Sequence, residues 1–200
     1  ASQEQHPLNY YSLLAAEKGW SRGGFDLEDS WDETDVSLAE REAGLMDKDL
    51  SEAKKNKLKI AISLKNHNRY FAALSRLVRL ESVLPTEDYL FLKSHWESLA
   101  GDYMGSLKTA NRLLSWHYER NGVPSLSTVQ LAFPTYYGDL VERIAGRFGV
   151  PEALVFAVMR QESAFDSESY SISGAQGLMQ VMPATAAGIA EDLKMEDYRS

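Results

Sequence analysis

The chemistry available to this chain is concentrated between positions 151 and 186. One carboxylate, Glu162, is followed by a run of small residues from Ser171 to Gly177 that contains Gly174 and Ala175. The amide Gln180 comes next, set between the thioethers Met179 and Met182. A carboxyl group that keeps its proton near neutral pH can act as a general acid. Small residues let backbone approach a ligand closely. An acid facing such a turn and a Gln/Met platform is a cleft suited to a sugar. The same residues also read as a glycine-containing loop between two helices, with the methionines filling core gaps.

The elements that would position these groups are legible around them. Pro151 and Glu152 mark a helix start. Leu154, Val155, Val158 and Met159 recur at spacings of three and four, and one further step along that face reaches Glu162. A carboxylate on a buried stripe would be driven to hold its proton, because burial disfavours the charged form. Glu162 also lies near the end of that helix, where its side chain could escape to water. Pro183 is placed to begin another helix, with Ala184, Thr185, Ala186 and Ala187 behind it.

Other reactive constellations are poorly supported. His6, His67, His95 and His117 have no metal-ligand spacing, and the carboxylates between Asp26 and Asp35 lack the pattern of a calcium loop. There is no cysteine, which excludes disulfides and thiol catalysis. No G-x-S-x-G elbow or phosphate-cradling glycine loop is present, and Ser163 has no evident base. Asp166 and Glu168 fall in an expected exposed loop. Neither a metal nor a cofactor is expected.

Composition narrows the partners. The chain has 200 residues, 44% hydrophobic and 25% charged, with 21 basic against 29 acidic residues and a formal charge of −8. That balance offers no basic stripe for nucleic acid and no attraction to an anionic membrane surface. No apolar stretch approaches the roughly 20 residues of a membrane span. The first residues, Ala1-Ser2-Gln3-Glu4-Gln5, do not read as a signal peptide.

Read in order, the chain is helical. Residues 7–16 read as a short amphipathic helix, followed by an expected acidic linker at 21–35. From Val36 to Trp116 come successive helices, the first expected to be weakened or interrupted at Gly44. Leu58, Ile60, Ala61 and Leu64 make the next apolar face, and Tyr70, Phe71, Leu74, Leu77, Val78 and Leu80 another. Thr86-Glu87-Asp88 starts a helix that Gly101 breaks, and Tyr103 to Leu114 is the last of the group. Tyr70, Leu74, Arg79 and Leu80 recur 33 residues later as Tyr103, Leu107, Arg112 and Leu113, a period close to that of stacked helical hairpins. Asn121-Gly122-Val123-Pro124-Ser125 is the clearest boundary. A short connection then leads to Phe133-Pro134 and a helix from near Tyr136, with Tyr137, Leu140, Val141, Ile144 and Phe148 packing and Gly149 closing it. The expected partition is 1–34, 35–124 and 125–200.

Glu162-Ser163-Ala164-Phe165, then Ser171-Ile172-Ser173-Gly174-Ala175, then Gly177-Leu178-Met179-Gln180-Val181-Met182-Pro183-Ala184-Thr185-Ala186 resembles the ordered signature of soluble lytic transglycosylases. Pro134-Thr135-Tyr136-Tyr137 and Val150-Pro151 are similar to the lead-in to their catalytic domain. The resemblance implies an all-α fold of stacked helical hairpins followed by the first helices of a lysozyme-like domain. It implies Glu162 as acid and then base, with Ser171, Gln180 and Met182 lining the saccharide site and the Gly174-Ala175 turn shaping it. The substrate implied is the peptidoglycan glycan strand, cleaved without water to leave 1,6-anhydro ends, and the location is periplasmic or at the cell envelope.

The family's catalytic domain continues past the segment seen here. The expectation is therefore the N-terminal part of that domain, to be completed by a missing C-terminal segment or a partner polypeptide. The alternatives are a non-catalytic helical scaffold or glycan-binding fragment and, nearest in chemistry, a hydrolytic muramidase. A Glu162 carboxyl open to water and turned away from the Gln180 segment would leave only the helical framework of this reading.

Overall fold

The computed structural model describes residues 37–195. The helix expected at 7–16 and the acidic stretch at 21–35 lie outside them. The described residues form α1 (Leu38–Asp47), α2 (Glu52–Asn66), α3 (Tyr70–Leu77) with a 3-10 turn (Val78–Leu80), α4 (Thr86–Leu99), α5 (Tyr103–Tyr118), α6 (Leu126–Ala132), α7 (Gly138–Phe148), α8 (Glu152–Ser163) and α9 (Pro183–Asp192). Among them there is no strand, only two isolated bridges, Tyr170–Gln176 and Gln176–Val181. The fold is all-α. The chain divides into two compact units, the first ending at Thr135 and the second beginning at Tyr136.

In the first unit α2–α3 and α4–α5 are successive helical hairpins, and Tyr70 and Tyr103 each open the second helix of a pair. The 33-residue echo thus begins on equivalent helices, with Arg79 and Leu80 in the 3-10 turn where Arg112 and Leu113 are still α-helical. Of its leucines Leu80 and Leu107 are buried, Leu113 fully so and Leu74 half-buried, and Arg79 and Arg112 are exposed. Helix α4 is the hub, packing on α1, α3, α5 and α6. That is why it has no polar face over most of its length: Tyr89, Leu90, Phe91, Leu92, Ser94, Trp96 and Glu97 are all buried. Each large apolar side chain so buried contributes about 1.5–3 kcal/mol. Ser94 donates to the Ser106 carbonyl at 3.0 Å, a short hydroxyl link that lets α4 and α5 approach closely.

Most polar groups drawn into this core are paired, as burial favours; Arg41 Nε, His95 Nδ1 and His117 Nε2 are the buried exceptions among the described residues. Trp96 Nε1 donates to Glu42 Oε1 at 3.1 Å and Lys65 Nζ to Glu42 Oε2 at 2.9 Å, joining α1, α2 and α4. Thr109 donates to Glu97 Oε2 at 2.7 Å, and Lys93 bonds both Thr109 and Glu97. Arg41 reaches Glu87 at 3.0 Å with its guanidinium 4.3 Å above the Phe91 ring.

Side-chain caps fix where three of the helices begin. Ser37 and Glu40 form a reciprocal capping box on α1. Asp102 accepts from the Gly105 N–H at 2.9 Å to start α5, and Ser125 accepts from the Thr128 N–H at 3.3 Å to start α6.

Several local expectations need correcting. Gly44 does not interrupt α1. Ile60, Phe71 and Val78 are 52%, 73% and 48% exposed, because a short helix buries only the narrow stripe its neighbours cover. The connection before Phe133-Pro134 contains α6, seven residues long, too short for its periodicity to stand out.

Candidate functional site

In the second unit, Tyr137 stands at the N-cap of α7 with φ 64°, and Gly149 ends the helix in the left-handed conformation at φ 65°. Helix α7 buries Val141 and Ala145, whereas Leu140, Ile144 and Phe148, expected to pack, are 43%, 44% and 61% exposed. Pro151 is the N-cap of α8 rather than its first residue.

The buried face of α8 is Ala153, Phe156, Met159 and Ser163. It shares Met159 with the stripe expected through Leu154, Val155, Val158 and Met159, but Val155 and Val158 are only half-buried and Leu154 is 55% exposed. Aromatic Phe156 and the unbranched Met159 take the interior, and continuing their spacing arrives at Ser163 instead of Glu162. Glu162 is exposed. The expectation of a carboxyl in an apolar pocket is therefore corrected: the burial it rested on is not there.

Ser163 ties the end of α8 to the following loop. It is 4% exposed, and its hydroxyl lies 3.1 Å from the Met159 carbonyl and 3.0 Å from the Leu178 carbonyl, with one proton to give. The residue next to Glu162 is in this way bonded to the segment that holds Gln180. Beyond it Ala164 and Phe165 both adopt left-handed backbone, φ 51° and 64°, uncommon for side-chain-bearing residues. What holds them there is the fully buried Phe165 ring, edge-on to Tyr136 at 5.4 Å, with the Phe165 carbonyl accepting from the Tyr137 hydroxyl at 3.4 Å. Sequence reasoning gave Ser163 and Phe165 no role. The available signal was an aromatic residue just past a helix end.

The loop from 166 to 182 is held by its own hydrogen bonds. Asp166 Oδ1 accepts from the Glu168 N–H at 2.9 Å, so this carboxylate caps a turn. Ser171 closes the small-residue turn: its N–H donates to the Ala175 carbonyl and its hydroxyl accepts from the Ala175 N–H, both at 2.9 Å. Gly174 sits at φ 90° within it, where a side chain would be strained. Gln176 and Val181 exchange backbone bonds at 3.1 Å. Inside that pairing Gln180, φ 46°, donates its side-chain amide to the carbonyls of Ser169 at 3.1 Å and Gly177 at 3.0 Å. Two carbonyl neighbours fix the orientation of the amide, leaving its oxygen as the group on offer to a ligand. Ala175 is buried, while Met179 and Met182 are 40% and 43% exposed; Met182 is the N-cap of α9, whose first position is Pro183 as expected.

The structure thus places Ser171, Gly174, Ala175 and Gln180 in one hydrogen-bonded loop ending at Met182, with Glu162 beside its anchor. Among the described residues no group of three His, Asp or Glu side chains could hold a metal, and no helix is long and apolar enough to cross a membrane.

Residues 139–200 match the family model described as "Transglycosylase SLT domain". The chain is 38% identical over 68 residues to the soluble lytic murein transglycosylase of Escherichia coli, a match covering 34% of this chain and 10% of that protein. It is 50% identical over 50 residues to the membrane-bound lytic murein transglycosylase C of Edwardsiella ictaluri, covering 25% of this chain and 14% of the other. The solved structure of the 70 kDa soluble lytic transglycosylase from Escherichia coli superposes with TM-score 0.54 and 20% identity, over 96% of this chain and 27% of that one. At that identity the superposition establishes the helical fold.

Proposed function

The chain belongs, through residues 139–200, to the transglycosylase SLT domain family, and we propose from that premise that it acts on peptidoglycan as a lytic transglycosylase at the cell envelope. The observation that carries this reading is the ordered motif from Glu162 to Ala186 within the matched segment, folded as a loop anchored beside the acid.

In the proposed reaction the Glu162 carboxylic acid protonates the glycosidic oxygen between N-acetylmuramic acid and N-acetylglucosamine. The sugar's acetamido group supports the positive charge developing at C1, taking the place of a second protein carboxylate. The Glu162 carboxylate then removes the proton of the muramoyl 6-hydroxyl, which bonds to C1 and closes the 1,6-anhydro ring. The proton given in the first step is regained in the second, and no water is consumed. Ser171 and the Gly174-Ala175 turn shape the saccharide site. The Gln180 amide oxygen accepts from the sugar's acetamido N–H, since its own N–H groups are engaged, and Met182 supplies an exposed thioether surface.

Exposure of Glu162 and of the α7 residues Leu140, Ile144 and Phe148 favours a second reading, a glycan-binding or scaffold segment without a complete site. Under the first reading these groups are covered by further domain residues or a partner polypeptide. Mass spectrometry of glycan strands after incubation with the chain separates the cases. Anhydro ends support the transglycosylase, water-added ends a muramidase, and uncut strands the binding segment.

A further inference from the structure

We propose that the groove between α4 and α5 in the first unit is a binding site for a carboxylate-bearing saccharide, a muramoyl unit with its stem peptide, distinct from the Glu162 loop; the choice of saccharide rests on the peptidoglycan reading above. The groove has a volume of about 420 Å³, within the usual size of a small-ligand site. Its wall on α5 is a single helical stripe, Lys108, Asn111, Arg112, Ser115, Trp116 and Glu119.

Three features of that stripe point to an anionic sugar. Lys108 and Arg112 place two cations one turn apart, an unfavourable spacing for like charges in a helix, within a chain of net charge −8. Neither is well compensated. Lys108 Nζ meets only the Met104 sulfur, at 3.2 Å, and has no ion pair among the described residues. Arg112 meets Glu81 at 3.5 Å, with both side chains more than half exposed, a geometry worth little.

Beside the cations lies a rigid aromatic surface. The Trp116 indole is only half-buried, yet it is braced by the Arg120 guanidinium 4.5 Å above its ring and by His117 edge-on at 5.1 Å. Arg120 is itself held by the Trp116 carbonyl at 3.1 Å. Arg120 takes one face of the ring, so the apolar face of a pyranose would stack on the other. The Ser115 hydroxyl and the Glu119 carboxylate on the same stripe suit its hydroxyl groups, and Lys108 with Arg112 would take the carboxylate.

The test is an NMR titration of the 200-residue chain with the disaccharide-peptide of peptidoglycan and with neutral chitobiose, the Trp116 indole N–H being assigned by Trp116→Phe. The expected result is saturable movement of that resonance by the disaccharide-peptide, with chitobiose at least tenfold weaker. Lys108→Glu combined with Arg112→Glu should weaken the disaccharide-peptide at least tenfold while helicity by circular dichroism is unchanged. An unmoved Trp116 resonance, or equal affinity in the charge-reversed variant, overturns the site. Anhydro ends formed without groove binding would sink this proposal alone. Groove binding by a chain that cuts nothing would sink the enzymatic reading alone.

Discussion

Glu162 and Ser163 are adjacent, yet their surroundings assign them different tests. Glu162 is exposed, so Glu162→Gln should leave the unfolding temperature unchanged while lowering anhydro-product formation by at least about 100-fold, the usual worth of a general acid. Unaltered product formation would remove Glu162 from the reaction. Ser163 is buried between two carbonyls, so Ser163→Ala should destabilise the second unit by about 1–3 kcal/mol, read by denaturant unfolding, because the Leu178 carbonyl loses its donor. Gln180 can be probed through its locked amide. Gln180→Glu would turn carboxylate oxygens toward the Ser169 and Gly177 carbonyls and should cost a similar amount at pH 7. Below pH of about 4 the protonated carboxyl regains one donor, so the deficit should shrink. A deficit independent of pH would mean the amide is not what holds the loop.

At the scale of the element, α4 is where one substitution should reach furthest. The Trp96 indole joins α4 to Glu42 of α1, whose other oxygen is held by Lys65 of α2. Trp96→Phe keeps most of the apolar volume but leaves Glu42 Oε1 without its donor, for an expected loss of about 1–3 kcal/mol measured by denaturant unfolding. A variant as stable as the parent would show that the bond contributes nothing net. The start of α4 was legible because Thr86-Glu87-Asp88 follows Pro85, and the end of α7 because Gly149 sits where a left-handed cap is needed. Helix α6 was not, since seven residues give fewer than two apolar repeats and only the Ser125 cap announces it.

For the whole molecule the most accessible variable is pH. Burial holds His95 below the ordinary histidine value, helped by the Lys65 charge, and burial likewise lowers His117, with Glu87 opposing and Arg41 assisting. The ring nitrogens His95 Nδ1 and His117 Nε2 are buried without partners, which favours neutral rings. Where the folded-state value is depressed, the unfolded chain takes up protons first. Stability is therefore fully present above pH of about 6.5 and is lost as pH falls through the lowered folded-state values. His95→Gln should flatten that decline in urea unfolding between pH 7 and 5; an unchanged slope would exclude His95 as its source. The division at Thr135 further leads us to propose two calorimetric transitions, one lowered by Trp96→Phe and the other by Ser163→Ala. Equal movement of both would make the chain one cooperative body.

Properties that depend on neighbours in the chain were readable without coordinates: the all-α class, the paired helices behind the 33-residue echo, the starts at Thr86 and Pro183, and the turn around Gly174. Each follows from capping, backbone freedom or periodicity, which act over a few residues. Tertiary packing decided the rest. It chose Ala153, Phe156, Met159 and Ser163 as the buried face of α8, turning Glu162 outward, and it put Phe165 in the interior at a backbone angle few such residues adopt. Adjacent apolar residues offer a helix more than one face, and only the surfaces it packs against select which is buried.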